Sequence, residues 1–264
     1  MDLGLTGHAI VVTGATSGIG RAVAELLAGE GARLLLVARG EEGLDRTVAD
    51  LPGGPHATLA ADASDPEGGA AIAAACREAH GRIDALVLSA GASRDAPPED
   101  LTPEDWDLQW RLNVLGPNAL LLAAQDDLAA APGGGRVVLV SSSSGKRPSA
   151  SNMAYSVGKA AQLSLSRAWA QQLASRGVRV NAVTPGPIDS EMWLGPGGLA
   201  EQVAERRGTT RDEALQGARG RVPLGRFGTP EEIADVVALL ASPRAGFATG
   251  GAWSTDGGSV ATIV

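Results

Sequence analysis

The stretch Thr13-Gly14-Ala15-Thr16-Ser17-Gly18-Ile19-Gly20 joins a short apolar run to the start of an amphipathic one. Glycines between a strand and a helix allow a tight turn and let the backbone approach a ligand closely. The amino terminus of the following helix presents unpaired N–H groups and the positive end of its dipole, which suit a pyrophosphate. The spacing is Gly-x-x-x-Gly-x-Gly, not the more common Gly-x-Gly-x-x-Gly. A plain turn is the alternative, but the position after the first strand favours a dinucleotide site.

Short apolar runs alternate with longer amphipathic runs along most of the chain. Continuous apolar runs such as Leu34–Val37 and Val137–Val140 suit strands covered on both faces. Alternating strands and helices imply parallel pairing through right-handed crossovers. The sequence therefore predicts an α/β fold, a single doubly wound Rossmann-type domain over residues 1–264 with a seven-stranded, mainly parallel sheet and helices on both faces. The predicted strands are His8–Thr13, Arg33–Ala38, His56–Ala61, Asp84–Ser89, Arg136–Ser141, Val178–Val183 and Ala252–Ser254, and the predicted main helices are Ile19–Ala28, Glu41–Asp50, Pro66–His80, Pro103–Ala129, Met153–Ser175 and Pro230–Ala241.

One stretch interrupts this alternation. Residues 189–228 contain no predicted strand and are rich in glycine, proline and charge. Two short helices are predicted within it, near Leu199–Glu205 and Arg211–Gln216. A long insertion without a strand in a compact domain is commonly a lid or a binding loop. We therefore expect a substrate lid at about 189–228 and call this stretch the lid segment.

The composition argues against several classes of protein. The net charge is −8 with no basic cluster, which disfavours a nucleic-acid partner. No apolar run approaches the ~20 residues that a membrane span needs, and residues 1–8 lack the regions of a secretion signal. The single cysteine and three scattered histidines show neither disulfide nor metal-ligand spacing. We therefore expect a cytoplasmic protein with no metal, no nucleic acid and no membrane partner.

Tyr155 is the only tyrosine of the chain, and Lys159, one of two lysines, follows four residues later. On a helix these two side chains lie on one face. A free phenol has a pKa near ~10, and a fixed positive neighbour lowers it. Such a pair is suited to moving protons, although an accidental surface pair fits the same spacing.

A series of motifs resembles, in order, those of the short-chain dehydrogenase/reductase family. They are Thr13–Gly20, Asn113-Val114-Leu115-Gly116, the serine run before Gly145, Tyr155-x-x-x-Lys159, Asn181–Gly186, Gly225–Ala234 and Asp256-Gly257-Gly258. The resemblance covers nearly the whole chain and is closest to 3-oxoacyl-thioester reductases and secondary-metabolite ketoreductases. One departure is Leu88-Ser89-Ala90-Gly91, where the family usually has Asn-Asn-Ala-Gly. A serine hydroxyl replaces only part of the hydrogen bonding of an amide. This departure therefore bears on the stability of the central sheet more than on catalysis.

The resemblance implies four catalytic residues. Ser142 stands thirteen residues before Tyr155, the family's spacing for its catalytic serine, and would orient the substrate carbonyl. Tyr155 would donate a proton to the carbonyl oxygen in reduction and accept one in oxidation. Lys159 would lower the phenol pKa and reach the nicotinamide ribose. Asn113 would hold a water beside Lys159; the alternative is an asparagine inside a helix that bonds its own backbone.

The resemblance also implies the cofactor contacts. Arg39 follows the position at which NAD-using relatives carry an acidic residue. A guanidinium can pair with a 2′-phosphate that a carboxylate would repel, so NADP(H) is favoured over NAD(H); alternatively, Arg39 lies across the adenine or in solvent. Asp62-Ala63 resembles the pair that holds the adenine amino group, with a helix cap as the alternative. The expected cofactor-binding residues are Gly14, Thr16, Ser17, Gly18, Ile19, Gly20, Arg39, Asp62, Ala63, Ser89, Ala90, Gly91, Tyr155, Lys159, Pro185, Gly186, Ile188 and Ser190.

The substrate contacts are the least specified. Met192 and Trp193 open the lid segment and are expected to line the substrate pocket with Ser93; packing against the domain is the alternative. Arg94 or Arg147 could meet a carboxylate or phosphate on the substrate.

A subunit interface is implied by the resemblance. Trp106, Trp110 and Trp169 are expected in packing or at that interface. In the family the matching helices form a four-helix contact, so a homotetramer, or failing that a homodimer, is expected. The last strand and the tail at Gly257-Gly258 would form a second contact.

Together these patterns predict an NADPH-dependent carbonyl reductase that transfers hydride between nicotinamide and a ketone or secondary alcohol. A 3-oxoacyl thioester and a polyketide-like ketone are the candidate substrates. One alternative is an NAD-dependent secondary alcohol dehydrogenase. The other is a non-catalytic dinucleotide sensor, a class that typically loses the tyrosine or lysine retained here.

Overall fold

The computed structural model describes residues 2–261. Seven strands form one sheet in the order β3-β2-β1-β4-β5-β6-β7, and all six neighbouring pairs are parallel. The predicted fold class is confirmed, and the sheet is wholly rather than mainly parallel. The strands are β1 (Ala9–Thr13), β2 (Arg33–Ala38), β3 (Ala57–Ala60), β4 (Ala85–Leu88), β5 (Arg136–Val140), β6 (Arg179–Pro185) and β7 (Ala252–Thr255).

Helices cover both faces of the sheet. Every residue of β1, β4 and β5 is buried, which explains their continuous apolar sequences. Alternate strand residues pack on one face against the first, second and last helices, and on the other face against the third, fifth and seventh. The helices are α1 (Gly18–Gly29), α2 (Glu41–Asp50), α3 (Gly68–His80), α4 (Pro103–Trp110), α5 (Gly116–Ala130), α6 (Ser143–Lys146), α7 (Met153–Ala174), α8 (Glu191–Leu194), α9 (Leu199–Arg207), α10 (Arg211–Arg219) and α11 (Pro230–Ala241). No helix within residues 2–261 is long and apolar enough to cross a membrane.

The long helix predicted over Pro103–Ala129 is not uniform. Residues Arg111–Leu115 form a π-helical segment between α4 and α5, in which the N–H of Gly116 donates to the carbonyl of Arg111. Such segments are uncommon and occur frequently at functional sites. The regular hydrophobic period of the sequence gave no sign of the change in hydrogen bonding.

The strand order reverses between β1 and β4. From β1 the chain builds β2 and β3 to one side, and β4 then pairs on the other side of β1. In open α/β sheets a ligand binds in the crevice at the carboxyl ends of the strands where the order reverses. The glycine turn follows β1 at this point, so the topology places it at the mouth of the crevice.

The lid segment contains three helices and no strand. The two predicted helices are present as α9 and α10, and the short α8 was not predicted. Thr210 begins α10 with a capping box, in which its hydroxyl accepts from the N–H of Glu213 and that carboxylate accepts from the N–H of Thr210. The segment has a small core of its own, formed by Ala200, Leu215, Ala218 and Phe227 with Trp193 and Leu194.

Candidate active site

A cavity of about 700 Å³ opens at the carboxyl edge of the sheet, between the strand ends and the lid segment. Its volume lies within the ~300–1,000 Å³ range of ligand clefts. Most of the predicted site residues meet there. Those that line it are Gly14, Ser17, Gly18, Ile19, Gly20, Ser89, Gly91, Ser93, Ser142, Tyr155, Lys159, Pro185, Gly186, Ile188, Ser190, Met192 and Trp193.

The glycine turn is too tightly folded for side chains. Gly14 has φ +67°, and a Cβ there would lie 2.9 Å from the Cα of Ala90. A Cβ on Gly20 would lie 2.1 Å from the carbonyl oxygen of Gly14. The N-cap Ser17 makes no side-chain hydrogen bond to the helix, so the first N–H groups of α1 have no side-chain cap. These groups line the cavity and suit an anion.

Thr13 joins the ends of β1 and β4 beneath this turn. Its hydroxyl accepts hydrogen bonds from the main-chain N–H groups of Ser89 (3.1 Å) and Ala90 (3.3 Å). The contact uses the backbone of Ser89 rather than its side chain. The serine that replaces the family's asparagine therefore leaves this link between the strands in place.

Tyr155 and Ser142 form the centre of the site. Tyr155 lies in the first turn of α7, and both it and Ser142, which follows β5, line the cavity. Burial raises the pKa of Tyr155, and the nearby hydroxyl of Ser142 opposes that shift. The phenol is therefore protonated at neutral pH and available as an acid. The neighbouring Ser141 has a different role, because its hydroxyl donates to the carbonyl of Lys159 at 3.1 Å.

Lys159 is buried and pairs with no carboxylate of residues 2–261. Its amine donates to the carbonyl of Val140 (2.9 Å) and to Oε1 of Gln162 (3.2 Å). Burial lowers the pKa of Lys159 to about 7. The amine lies 5.7 Å from the centre of the Tyr155 ring. The resemblance implied that Lys159 lowers the phenol pKa, but in this structure the pKa of Tyr155 is raised, because burial of the phenol dominates.

Asn113 lies in the π-helical segment and does not line the cavity. Its amide nitrogen donates to both the main-chain carbonyl and Oε1 of Gln109, each at 2.9 Å. The amide nitrogen of Asn113 therefore bonds the backbone of its own helix, as the alternative interpretation predicted. The amide oxygen is buried without a partner among the described residues. The segment packs closely on α7, since a Cβ on Gly158 would lie 3.0 Å from this nitrogen.

Five residues predicted to bind the cofactor lie outside the cavity lining. Thr16 faces α2, where a Cβ on Gly43 would lie 3.2 Å from its methyl group. Ala63 and Ala90 line a separate small cavity. Asp62 accepts from the N–H of Ser64 at 2.9 Å, a local turn in keeping with the cap alternative. The fifth residue is Arg39, which lies directly after β2.

Arg39 is exposed directly after β2 and belongs to no ion pair within residues 2–261. The hydrogen bonds from Ser64 hold the pKa of Asp62 below its ordinary value, with a smaller contribution from the positive charge of Arg39. Arg39 is therefore near enough to Asp62 for its charge to act on that carboxylate. A guanidinium with no carboxylate partner is available for an anionic group of a ligand.

The substrate end of the cavity carries little charge. The charged residues that line it, within the described chain, are Lys159 and Glu191. Arg94 is paired with Asp105 at 2.6 Å, and neither Arg94 nor Arg147 lines the cavity. The suggestion that either arginine meets an anionic substrate is thus not supported by the geometry. Trp193 satisfies both alternatives, since it lines the cavity and also packs edge-to-face on Phe227, with ring centroids 5.0 Å apart.

Two glutamines at the site were not predicted. Gln162 lies one helical turn after Lys159 and accepts from its amine, so the i, i+3 spacing was a usable signal. Gln202 lines the cavity from the lid segment, and no pattern in the sequence singled it out. No cluster of three or more side chains suited to a metal ion occurs within residues 2–261.

Known proteins resemble this chain over almost its whole length. A family described as enoyl-(acyl carrier protein) reductase matches residues 14–260. The 3-oxoacyl-(acyl-carrier-protein) reductase FabG of Thermotoga maritima is 34% identical over 97% of this chain and 99% of its own. The D-threitol dehydrogenase of Mycolicibacterium smegmatis is 35% identical over 97% of this chain and 94% of its own. The crystal structure of L-sorbose reductase from Gluconobacter frateurii with NADPH and L-sorbose matches with a TM-score of 0.92, at 32% identity and complete coverage of both chains.

These matches, with the sheet order and the site geometry, show that the chain belongs to the short-chain dehydrogenase/reductase family. It is an NAD(P)-dependent oxidoreductase acting on a CH–OH group or its carbonyl.

Proposed function

We propose that this protein is an NADPH-dependent carbonyl reductase acting on a ketone, with Tyr155 as its proton donor. The observation that carries the proposal is that Tyr155 and Ser142 meet in one cavity at the carboxyl edge of the sheet. The pair opens on a cavity that extends to the uncapped amino terminus of α1. An acid and an anion-binding helix end are thus joined by one cleft large enough for a dinucleotide and a small substrate.

The cavity residues fit a nicotinamide dinucleotide. The first N–H groups of α1 would hold the pyrophosphate, and Arg39 would pair with a 2′-phosphate. Lys159 and Ser190 line the far side of the same cavity, where the nicotinamide half would lie. When bound, the cofactor supplies a hydride to the carbonyl carbon.

The side chains of this protein manage the proton. Negative charge develops on the carbonyl oxygen and must be met by donors already in position. Ser142 donates a hydrogen bond to that oxygen, and Tyr155 transfers its proton to it as a general acid. The raised pKa of Tyr155 keeps the proton on the phenol until the charge appears. A lysine whose pKa is about 7 can exchange a proton near neutrality, so Lys159 is suited to restoring the phenol.

The cavity favours an uncharged ketone as substrate. Within its lining Lys159 is the one cationic group, and it lies among the residues that would hold the cofactor. Relatives named for uncharged substrates, L-sorbose reductase and D-threitol dehydrogenase, are as similar to this chain as the reductase named for an acyl-carrier-protein thioester. We therefore place a neutral ketone ahead of a 3-oxoacyl thioester.

We also propose a homotetramer. Trp106 and Trp110 are 39% and 48% exposed on α4, and Leu122 on α5 is 52% exposed. Exposed apolar side chains of this size on adjoining helices indicate a protein contact. Trp169 is not part of that surface, because it is buried and donates to Oδ1 of Asn118. Trp253 on β7 is exposed as well, in keeping with a second contact there. Sedimentation velocity measures the subunit number directly.

The proposal is tested by following NADPH oxidation with a panel of substrates. The panel contains L-sorbose, a neutral cyclic ketone, an acetoacetyl thioester and a crotonyl thioester, which has a C=C bond in place of the ketone. We expect turnover on a ketone and none on the crotonyl thioester. Turnover confined to the crotonyl thioester would overturn the assignment of a carbonyl substrate. Binding of NADPH without turnover on any member would favour the dinucleotide sensor.

A further inference from the structure

The lid segment is tied to the body of the domain at Asp95. Gln202 and Arg206 lie four residues apart on α9, so both face the loop that follows β4. Oε1 of Gln202 accepts from the N–H of Asp95 at 2.8 Å, and Nε of Arg206 donates to the Asp95 carboxylate. Nε2 of Gln202 donates to the carbonyl of Gly197 at 2.7 Å, which fixes the amide in place.

The same loop is also tied to the catalytic helix. The N–H of Ala96 donates to the carbonyl of Ser151 at 2.8 Å, and Ala96 forms a parallel bridge with Asn152. Asn152 is the residue before α7 and lines the cavity three residues from Tyr155. Contacts through Asp95 and Ala96 therefore connect α9 to the start of the helix that carries the proton donor.

The Asp95 carboxylate is nearly buried in this pair. Its side chain is 7% exposed and that of Arg206 is 30% exposed, whereas both partners of the Arg226–Glu232 pair are about half exposed. A buried ion pair is costly to break on one side only, because the remaining charge is left without a partner. Loss of Arg206 would thus favour a position of α9 in which water reaches Asp95.

We propose that Asp95 is a positioning residue that holds α9 over the substrate end of the cavity through Arg206 and Gln202. The inference rests on the proposed function, since it assigns the lid segment to the binding of that ketone. Opening of the lid segment weakens substrate binding and leaves cofactor binding unchanged. Within residues 2–261, no residue of the glycine turn forms a hydrogen bond or ion pair with Asp95, Gln202 or Arg206.

The test compares Arg206→Gln with the matched control Arg207→Gln, which changes an exposed neighbouring arginine on the same helix. The readouts are KM and kcat for the best ketone of the panel, the Kd of NADPH, and amide hydrogen exchange in α9 and α1. For Arg206→Gln we expect KM to rise about tenfold, the Kd of NADPH to stay within about twofold, and exchange to accelerate in α9 alone. The control should match the wild type in all four.

A double variant distinguishes the loss of the Asp95–Arg206 ion pair from a general loss of structure. Asp95→Asn/Arg206→Gln removes the unpaired charge, so its KM should rise less than that of Arg206→Gln, which makes the two changes non-additive. Equal KM and equal α9 exchange in Arg206→Gln and Arg207→Gln would overturn the inference, as would a parallel loss of NADPH binding. If the wild type reduces no ketone, the proposed function fails, and exchange in α9 still decides whether Asp95 holds the lid segment.

Discussion

The two sides of the cavity are built in different ways. The side nearest the sheet consists of strand ends and the glycine turn, and its ligand-facing groups are largely main-chain N–H groups and small side chains. The lid segment contributes long side chains, and ion pairs and a small core of its own hold it. Main-chain groups at the edge of a buried sheet are held rigidly, whereas a segment with few buried apolar contacts opens at lower free energy. The first side suits an invariable part of the reaction, the cofactor, and the second suits a substrate that differs between relatives.

The largest expected effect lies where the two sides meet. Tyr155→Phe keeps the ring and removes the proton, so kcat should fall by about 10³-fold or more while NADPH binding persists. Steady-state kinetics and a binding titration measure the two quantities. A variant that keeps more than about a tenth of the wild-type kcat would show that another group supplies the proton.

The serine run offers a comparison within one turn. Ser142→Ala removes the hydroxyl near that of Tyr155, and we expect kcat to fall by about 10²-fold, as for loss of a donor to a developing oxyanion. Ser144→Ala is the control, because the N–H of Ser144, and not its side chain, contacts Ser142. Its kcat should stay within about threefold of the wild-type value. Equal losses in the two variants would refute the assignment of Ser142.

Substitution of Arg39 should change cofactor binding alone. Arg39→Gln removes the guanidinium proposed to meet the 2′-phosphate, so the Kd of NADPH should rise by about tenfold or more and that of NADH should barely change. Arg46→Gln is the matched control, since Arg46 is an exposed arginine on the nearby α2. Calorimetric titration of both cofactors gives the four values. An unchanged ratio of NADPH to NADH affinity in Arg39→Gln would place the phosphate elsewhere.

The smallest effect concerns the stability of the cofactor-free protein. The pKa of Lys159 is about 7 in the folded state and ~10.4 in an unfolded chain, so the unfolded state binds more protons between these values. Because stability rises with pH wherever the unfolded state binds more protons, Lys159 should make the wild type more stable as pH rises through this window. Relative to Lys159→Met, the wild type should gain about 1–2 kcal/mol between pH 7.5 and pH 9. Urea unfolding of both proteins at the two pH values measures the difference, and parallel pH dependences would contradict the lowered pKa.

The sequence predicted more of the residues on the side of the cavity nearest the sheet than on the side formed by the lid segment. Gly14 and Gly20 are glycines because a Cβ would collide with the backbone, so the turn leaves a recognisable pattern. The parallel pairing of the strands follows from the alternation of elements and the handedness of crossovers. The spacing of Ser142, Tyr155 and Lys159 placed all three in one cavity.

Other features depend on contacts between distant residues. The π-helical segment at Asn113 and the burial that raises the pKa of Tyr155 are features of the folded structure that no local pattern encodes. Asp95 and Arg206 are 111 residues apart in the chain, so their pairing emerges only in the folded structure. The surroundings of Arg94 were unpredictable for the same reason, since its pairing with Asp105 is tertiary.

The proposed function is the reduction of a ketone by NADPH. The most direct measurement is kcat/KM for NADPH and for NADH with the same saturating ketone. We predict a value at least about tenfold higher for NADPH, because the guanidinium of Arg39, which forms no ion pair within residues 2–261, can pair with the 2′-phosphate. An equal or higher value for NADH would contradict the account and identify the protein as an NAD-dependent alcohol dehydrogenase.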